Sequence, residues 1–147
     1  MTLGGIMAKL NIIYFSTSGN TEQMSIYIEQ GAKEAGVEAE MISVDAADES
    51  SVNAEFIAFG SPASGSEEVA PEITEFIESV KDKLKGRKIG IFGSYDWGGG
   101  EWLSLWADEL SKAGISVVGK GCMVNLAPDD TEKIENCKEY GKQIVNQ

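Results

Sequence analysis

Three short segments hold most of the residues whose types and spacing could bind a ligand. The first consists of Ser16, Thr17, Ser18, Gly19, Asn20 and Thr21. It offers hydroxyl, amide and backbone N–H donors where a helix is predicted to begin, and such a helix N-terminus attracts anions. Because no Lys or Arg lies between Lys9 and Lys33, the segment lacks the cation that a triphosphate-binding loop needs. It therefore predicts a site for one phosphate monoester, or else a simple helix cap at Ser18 or Asn20.

The second segment follows an apolar run and consists of Gly60, Ser61, Pro62, Ala63, Ser64, Gly65, Ser66 and Glu67. Pro62 stiffens the exit from the predicted strand, whereas Gly65 can adopt a positive φ or change its conformation at little cost. On its own, this segment is better interpreted as an ordinary loop between a strand and a helix.

The third segment combines two large aromatic residues with three consecutive glycines, and it consists of Ser94, Tyr95, Asp96, Trp97, Gly98, Gly99 and Gly100. Glycines supply no side chains that could cover Tyr95 and Trp97, whereas a flat aromatic ligand would cover both. The alternative is that Tyr95 and Trp97 pack against the helix that follows.

The elements that position these segments alternate along the chain. Short apolar runs predict strands at residues 10–15, 37–44, 56–60, 89–93 and 116–124. Amphipathic spacing predicts helices at residues 21–35, 71–84, 101–113 and 130–145. Strand–helix alternation with apolar central strands indicates an α/β fold with a doubly wound, five-stranded parallel sheet. In the strand order 2-1-3-4-5, ligands bind outside the carboxyl ends of strands one and three, where the first two segments lie.

Length and charge restrict the class of protein further. The chain has 147 residues, enough for one domain, which we assign to residues 9–147; residues 1–8 are taken as an N-terminal extension because Met7 could be the natural start. The formal net charge of −12 disfavours nucleic acid and anionic membranes and favours basic patches on partner proteins. A role in solubility alone is the alternative. No apolar run approaches the ~20 residues that a membrane span needs.

The cysteine and histidine content excludes further classes of protein and of site. Cys122 and Cys137 are the two cysteines, and the chain has no histidine. Two isolated cysteines predict reduced, partly buried thiols in a cytoplasmic protein rather than a disulfide framework or a zinc site. Without histidine, the commonest general base and metal ligand is missing. We therefore expect neither a metal site nor a catalytic side chain.

Together and in this order, the three segments resemble the flavin-binding loops of short-chain, clostridial-type flavodoxins. Residues 16–21 are similar to the phosphate loop, residues 65–67 to the first flavin loop, and residues 93–102 to the second. The resemblance runs from about Lys9 to the C-terminus and implies that FMN binds without a covalent bond. Two positions depart from the clostridial pattern. Ser64 stands in place of a methionine that covers the inner ring face, and Asp96 replaces a glycine and adds an acid near the flavin.

The resemblance implies a role for each segment. Residues 16–21 would hold the 5′-phosphate, and residues 62–66 would line one edge of the flavin. The Gly65 carbonyl would accept a hydrogen bond from N5–H of the reduced flavin, and the Glu67 carboxylate would accept one from N3–H. Trp97 would stack on the outer ring face, and residues 94–98 would approach the pyrimidine side.

The resemblance also implies a low-potential one-electron carrier rather than an enzyme. It would be a cytoplasmic monomer that binds redox partners, reductases and oxidoreductases, through basic patches on their surfaces. The alternative on the same fold is a small FMN-dependent NAD(P)H or quinone reductase. That class usually needs a longer chain and a second site for the hydride donor, and the chain has only one arginine, Arg87, to bind an NADP phosphate. Direct NAD(P)H oxidation by the purified protein would distinguish the two.

Trp97→Ala is expected to weaken FMN binding more than Trp102→Ala or Trp106→Ala, because Trp97 lies among the loop glycines whereas Trp106 has helix-core spacing. The loss of ring stacking should cost on the order of 1–3 kcal/mol of binding free energy. Titration of each apoprotein variant with FMN, followed by flavin fluorescence, measures this loss. A larger loss for Trp106→Ala in a protein that remains folded would show that the stacking residue is wrongly assigned.

Overall fold

The computed structural model describes residues 2–3, 6–64, 68–96 and 101–147. Five strands form the main sheet: β1 Lys9–Tyr14, β2 Glu38–Ser43, β3 Phe56–Gly60, β4 Lys88–Tyr95 and β5 Cys122–Asn125. Four helices lie between and after them: α1 Asn20–Glu34, α2 Pro71–Leu84, α3 Glu101–Lys112 and α4 Thr131–Val145. The crossover from β2 to β3 contains two short 3₁₀ turns, Val44–Ala46 and Glu49–Val52, so the alternation of strands and helices is not strict at this point.

The strands are parallel and adjacent in the order β2-β1-β3-β4-β5, which confirms the predicted sheet and its order 2-1-3-4-5. All five residues of β3 are buried, as expected for a central strand covered on both faces. Two residues predicted to mark the ends of helices are found at those positions. Pro71 is the first residue of α2, and Gly36, with φ of +86°, follows the end of α1.

Alternate side chains of each strand pack under opposite helix layers. Helices α1 and α4 cover one face of the sheet, where Ile12 and Phe92 are fully buried. Helices α2 and α3 cover the other face, where Phe59 and Ile91 are fully buried. The sheet therefore separates two apolar cores, each with its own pair of helices.

Two glycines allow α1 and α4 to approach each other closely. A Cβ atom added at Gly31 would overlap the backbone carbonyl of Lys138, and one added at Gly141 would overlap the backbone carbonyl of Ile28. Any larger residue at either position would push the helices apart. Among the described helices, α1 and α4 are consequently in the closest contact.

Several smaller features complete the described part of the chain. The strands Thr2–Leu3 and Ile6–Met7 pair with each other, outside the main sheet. Cys122 and Cys137 are free and buried in the core under α1 and α4. Within the described residues, no helix has the length and apolar character to cross a bilayer.

The last strand differs from the continuous strand predicted at residues 116–124. The structure has a short strand, Ser116–Val117, and then β5, both beside β4. Ile89 pairs with Val117 and Phe92 pairs with Cys122, so the last strand carries two additional residues between these pairs. The backbone adopts positive φ at Gly119 (56°) and Gly121 (80°), which glycine tolerates and which interrupts the ladder.

The Tyr140 hydroxyl fills the gap that this interruption leaves. It accepts a hydrogen bond from the Ile91 N–H (3.2 Å) and donates one to the Val118 carbonyl (2.8 Å). In an uninterrupted parallel ladder these two backbone groups would bond to each other, since the Val118 N–H already bonds to the Ile89 carbonyl. Burial raises the pKa of Tyr140, so the phenol stays neutral and serves as both donor and acceptor.

Tyr140→Phe is expected to lower the free energy of unfolding by about 1–3 kcal/mol, because it leaves a buried N–H and a buried carbonyl without their partner. Tyr27→Phe is the matched control. Tyr27 packs against the same core from α1, and its hydroxyl has no partner among the described residues. Urea denaturation of both variants measures the difference. Equal stability of the two variants would mean that the ladder closes without the hydroxyl.

Candidate functional site

The three predicted segments begin side by side at the carboxyl edge of the sheet. The Phe15 N–H donates to the Gly60 carbonyl (3.0 Å), and the Ser61 N–H donates to the Phe92 carbonyl (3.1 Å). These bonds continue the pairing of β1 with β3, and of β3 with β4, one residue beyond the ends of β1 and β3. The site expected at the topological switch point of the sheet is therefore assembled from neighbouring loops.

Gly19, rather than Ser18 or Asn20, is the residue that caps α1. Its φ of +93° is left-handed, and glycine itself has no side chain that could accept from the first turn. A residue with a Cβ would be strained at this angle. The predicted cap at Ser18 or Asn20 is thus wrong, and the Ser16 hydroxyl accepts the first-turn N–H of Glu22 instead.

The Ser16 hydroxyl shapes the loop at the first turn of α1. Its Oγ accepts from the Gly19 N–H (3.1 Å) and from the Glu22 N–H (3.3 Å). Among the described residues, the backbone N–H groups of Ser18, Asn20 and Thr21 have no acceptor. Thr17 and Ser18 are exposed, whereas Thr21 is almost fully buried.

Thr21 and Ser94 connect the first segment to the third. Their hydroxyl oxygens are 3.0 Å apart, and both residues are almost fully buried. Strand β4 continues to Tyr95, two residues beyond the predicted end at residue 93, so Ser94 belongs to the strand. Thr21 and Ser94 therefore hold the first and third segments together.

The second segment is a small hairpin instead of an irregular loop. Ala63 pairs with Val69, and Ser64 pairs with Glu68, in antiparallel register. Three predicted site residues follow Ser64 in the sequence and lie outside the described residues: Gly65, Ser66 and Glu67.

Ser61, which the sequence analysis did not select as a site residue, closes the base of this hairpin. Its hydroxyl accepts from the Ala70 N–H (2.8 Å) and donates to the Pro62 carbonyl (2.9 Å). A Cβ atom at Gly93 would overlap the Ser61 carbonyl, so β4 passes directly beneath this point. A serine directly after an apolar strand is the signal in the sequence that could have identified it.

Residues 125–126, which the sequence did not single out, bond to the third segment. The Tyr95 carbonyl accepts from the Leu126 N–H (2.7 Å) and from the Asn125 side-chain amide (3.2 Å). Leu126 has a positive φ of 62°, which is unusual for a residue with a branched side chain. Asp96 is exposed, while Trp97 and Gly98 lie outside the described residues.

The electrostatics of the first segment match a single phosphate. No Lys or Arg belongs to it, and Glu22 in the first turn of α1 accepts a hydrogen bond from the Tyr14 hydroxyl (3.3 Å). Burial, together with the Glu22 charge, raises the pKa of Tyr14. Neutral N–H and O–H donors at a helix N-terminus fit the one phosphate of FMN, and they provide no cation for a di- or triphosphate.

Comparison with known proteins identifies the family of this chain. A sequence model of the family described as Flavodoxin matches residues 12–140. The chain is 38% identical to a flavodoxin of Megasphaera elsdenii over 135 residues, covering 90% of this chain and 96% of the relative. It is 34% identical to a flavodoxin of Clostridium beijerinckii over 139 residues, covering 93% and 99% respectively.

Solved structures give the same result. The solution structure of two-electron reduced Megasphaera elsdenii flavodoxin superimposes with a TM-score of 0.84 at 36% identity, covering 94% of this chain and 99% of that one. These matches give no support to the alternative of an NAD(P)H or quinone reductase. The chain belongs to the flavodoxin family, and it is an FMN-binding electron-transfer protein rather than an enzyme.

Proposed function

We propose that this chain is a low-potential carrier whose FMN phosphate is held by residues 16–21 at the N-terminus of α1. The observation that carries this assignment is that the N–H groups of Ser18, Asn20 and Thr21, beside the left-handed cap at Gly19, have no acceptor among the described residues. Charge-assisted hydrogen bonds from such donors to a phosphate are stronger than bonds between neutral groups. The Ser16 hydroxyl, which accepts two N–H bonds, can direct its own proton to the same phosphate.

The other two segments are proposed to surround the ring system. Residues 62–67 would line one edge of the flavin and residues 94–98 the pyrimidine side, with Trp97 on the outer face. The Thr21–Ser94 hydroxyl pair supports this arrangement, because it fixes the distance between the phosphate loop and the third segment. Bound FMN supplies the one-electron chemistry, and the protein supplies its binding and electrostatics.

The low potential is attributed to the charge of the protein. A net charge of −12 disfavours the addition of negative charge to a bound flavin, and the exposed Asp96 carboxylate adds to this effect. Ser64 in the position of a methionine leaves the inner ring face less well covered. Both features act on the energy of the reduced flavin rather than on the phosphate.

The phosphate assignment is tested by comparing flavins. The apoprotein should bind FMN more tightly than riboflavin, which has no phosphate, and should bind FAD poorly because no second site for AMP is proposed. Ser16→Ala should weaken FMN binding by about 10- to 100-fold, since a hydrogen bond to a charged group contributes about 1.5–3 kcal/mol, and should leave riboflavin binding unchanged. Flavin fluorescence during titration of the apoprotein measures all three affinities.

Ser79→Ala is the matched control, because this exposed serine bonds to the Phe76 carbonyl on α2, away from the proposed site. It should bind both flavins as the parent protein does. An equal loss of FMN and riboflavin affinity in Ser16→Ala would instead place the effect of Ser16 on the ring. Equal affinity of the parent apoprotein for FMN and FAD would overturn the single-phosphate assignment.

The partners are proposed to be redox proteins that present basic patches to a cytoplasmic, monomeric carrier. The chain has 24 acidic residues and 12 basic ones. This excess of acidic residues supports the proposed partners, since it attracts cationic surfaces and repels a second copy of the chain.

Electron transfer from the reduced protein to a lysine-rich cytochrome is expected to slow as salt rises. Long-range attraction decays over about 8–10 Å at physiological ionic strength. Stopped-flow measurement between low and high salt gives the rate constants. Ferricyanide, an anionic acceptor, is the control, and its rate should rise with salt. A cytochrome rate that is independent of salt would mean that the acidic surface contributes to solubility alone.

A further inference from the structure

The two helix layers of the protein are packed differently. Helices α1 and α4 touch backbone to backbone at Gly31 and Gly141. Helices α2 and α3 approach each other less closely, and a groove runs between them. The groove consists of two adjoining hollows of about 360 and 260 Å³ that share Thr74, Trp106 and Glu109 in their walls.

The floor of this α2–α3 groove is apolar. Trp102 and Trp106 lie in it with their rings stacked, 6.3 Å apart at 17°. Leu105 stands at its edge, and at 61% exposed it is the most exposed large apolar side chain among the described residues. Leu110 and Ile115 continue the apolar surface towards the far end. Trp102 and Trp106 are themselves almost fully buried, so Leu105 is the apolar side chain that the groove exposes most. An apolar concave surface is typical of binding sites.

The walls of the groove are acidic at the end near the proposed FMN site. Glu68 and Glu109 line that end, and no Lys or Arg does so among the described residues. Lys81 is the cation at the far end, where it is paired with Glu78 (2.9 Å). Lys112 reaches Glu109 at 3.3 Å, but both side chains are largely exposed and such a pair is weak. The groove is therefore negative where it approaches the hairpin of residues 63–69.

We propose that the α2–α3 groove is a docking surface for an amphipathic helix of a redox partner protein. Apolar side chains of this helix would contact Trp102, Leu105 and Trp106, and its Lys or Arg residues would face Glu68 and Glu109. That the partner is a redox protein rests on the proposed function; the basic and apolar character of its helix rests on the groove alone. A second copy of this chain is a poor occupant, because each copy carries a charge of −12.

The location of the groove suits electron transfer. Val69 and Glu68, at its upper end, belong to the hairpin whose tip is assigned to the flavin edge. Helix α2, with 14 residues, is about 20 Å long, which is enough to align three to four turns of a partner helix. A partner seated in the groove would therefore lie against the loop that surrounds the cofactor.

The test uses the FMN-loaded protein and a synthetic peptide as the probe. The peptide has the length of α2, 14 residues, with Leu at helical spacing on one face and Lys elsewhere; a scrambled peptide of the same composition is the control. Binding is followed by NMR through the backbone amide shifts of the protein. The amphipathic peptide should shift residues of α2 and α3 and not those of α1 and α4, and it should bind about tenfold more tightly than the scrambled peptide.

Two variants locate the contact. Leu105→Glu should weaken peptide binding by about tenfold or more, since it places a charge at the apolar edge. Ile26→Glu is the matched control, because Ile26 is an exposed apolar residue (38%) on α1, on the other face of the sheet; it should change binding by less than about twofold. Neither variant should alter FMN affinity, so failure of the flavin titration and failure of the peptide titration are separate results.

The proposal is overturned if the peptide does not bind, if the scrambled peptide binds as well, or if Leu105→Glu and Ile26→Glu have equal effects. It is also overturned if sedimentation shows a dimer of the parent protein that Leu105→Glu dissociates, because the occupant would then be a second copy. Shifts confined to α1 and α4 would place the basic partner on the opposite face.

Discussion

The parallel pairing of β1 with β3, and of β3 with β4, is the constraint on which the site depends. Parallel strands all end at the same edge of a sheet, so every loop that leaves these ends must start beside its neighbours. The bonds from Phe15 to Gly60 and from Ser61 to Phe92 extend that constraint by one residue past each strand. Residues far apart in the chain are consequently held within hydrogen-bonding distance, and the phosphate loop acquires a fixed position relative to the third segment.

Neutral hydroxyl groups do most of the positioning in this acidic protein. A hydroxyl can accept from an N–H group and donate to a carbonyl, so one side chain can satisfy two backbone groups where the regular ladder stops. Ser61 does this at the base of the hairpin, and Tyr140 does it at the interruption of the last strand. Ser16 accepts two N–H groups in the phosphate loop. An anion can thus be bound without a cation, because the partial charges of the helix N-terminus are already oriented.

On the two faces of the sheet, the size of the residues between the helices determines how closely each helix pair packs. Glycines at positions 31 and 141 let α1 and α4 exclude solvent from their own interface. On the opposite face, Trp102 and Trp106 pack with stacked rings in the core shared by α2 and α3, which approach each other less closely. The first pair contributes stability, whereas the second leaves an apolar surface with acidic walls. A surface of that kind costs free energy in water unless something covers it, which is why we assign it a partner.

Local signals in the sequence were sufficient for the sheet order, the four helices and the flavodoxin resemblance, because strand runs, helical spacing and Gly or Pro punctuation act over a few residues. The pairs that close the site could not be obtained in this way. Thr21 and Ser94 are separated by 73 residues, and nothing near either one indicates the other. The interruption of the last strand depends on Tyr140, which replaces a ladder bond from a different helix. Periodicity specifies which face of an element is buried, but the tertiary structure decides which polar atom meets which, because that depends on distances between elements that no local pattern encodes.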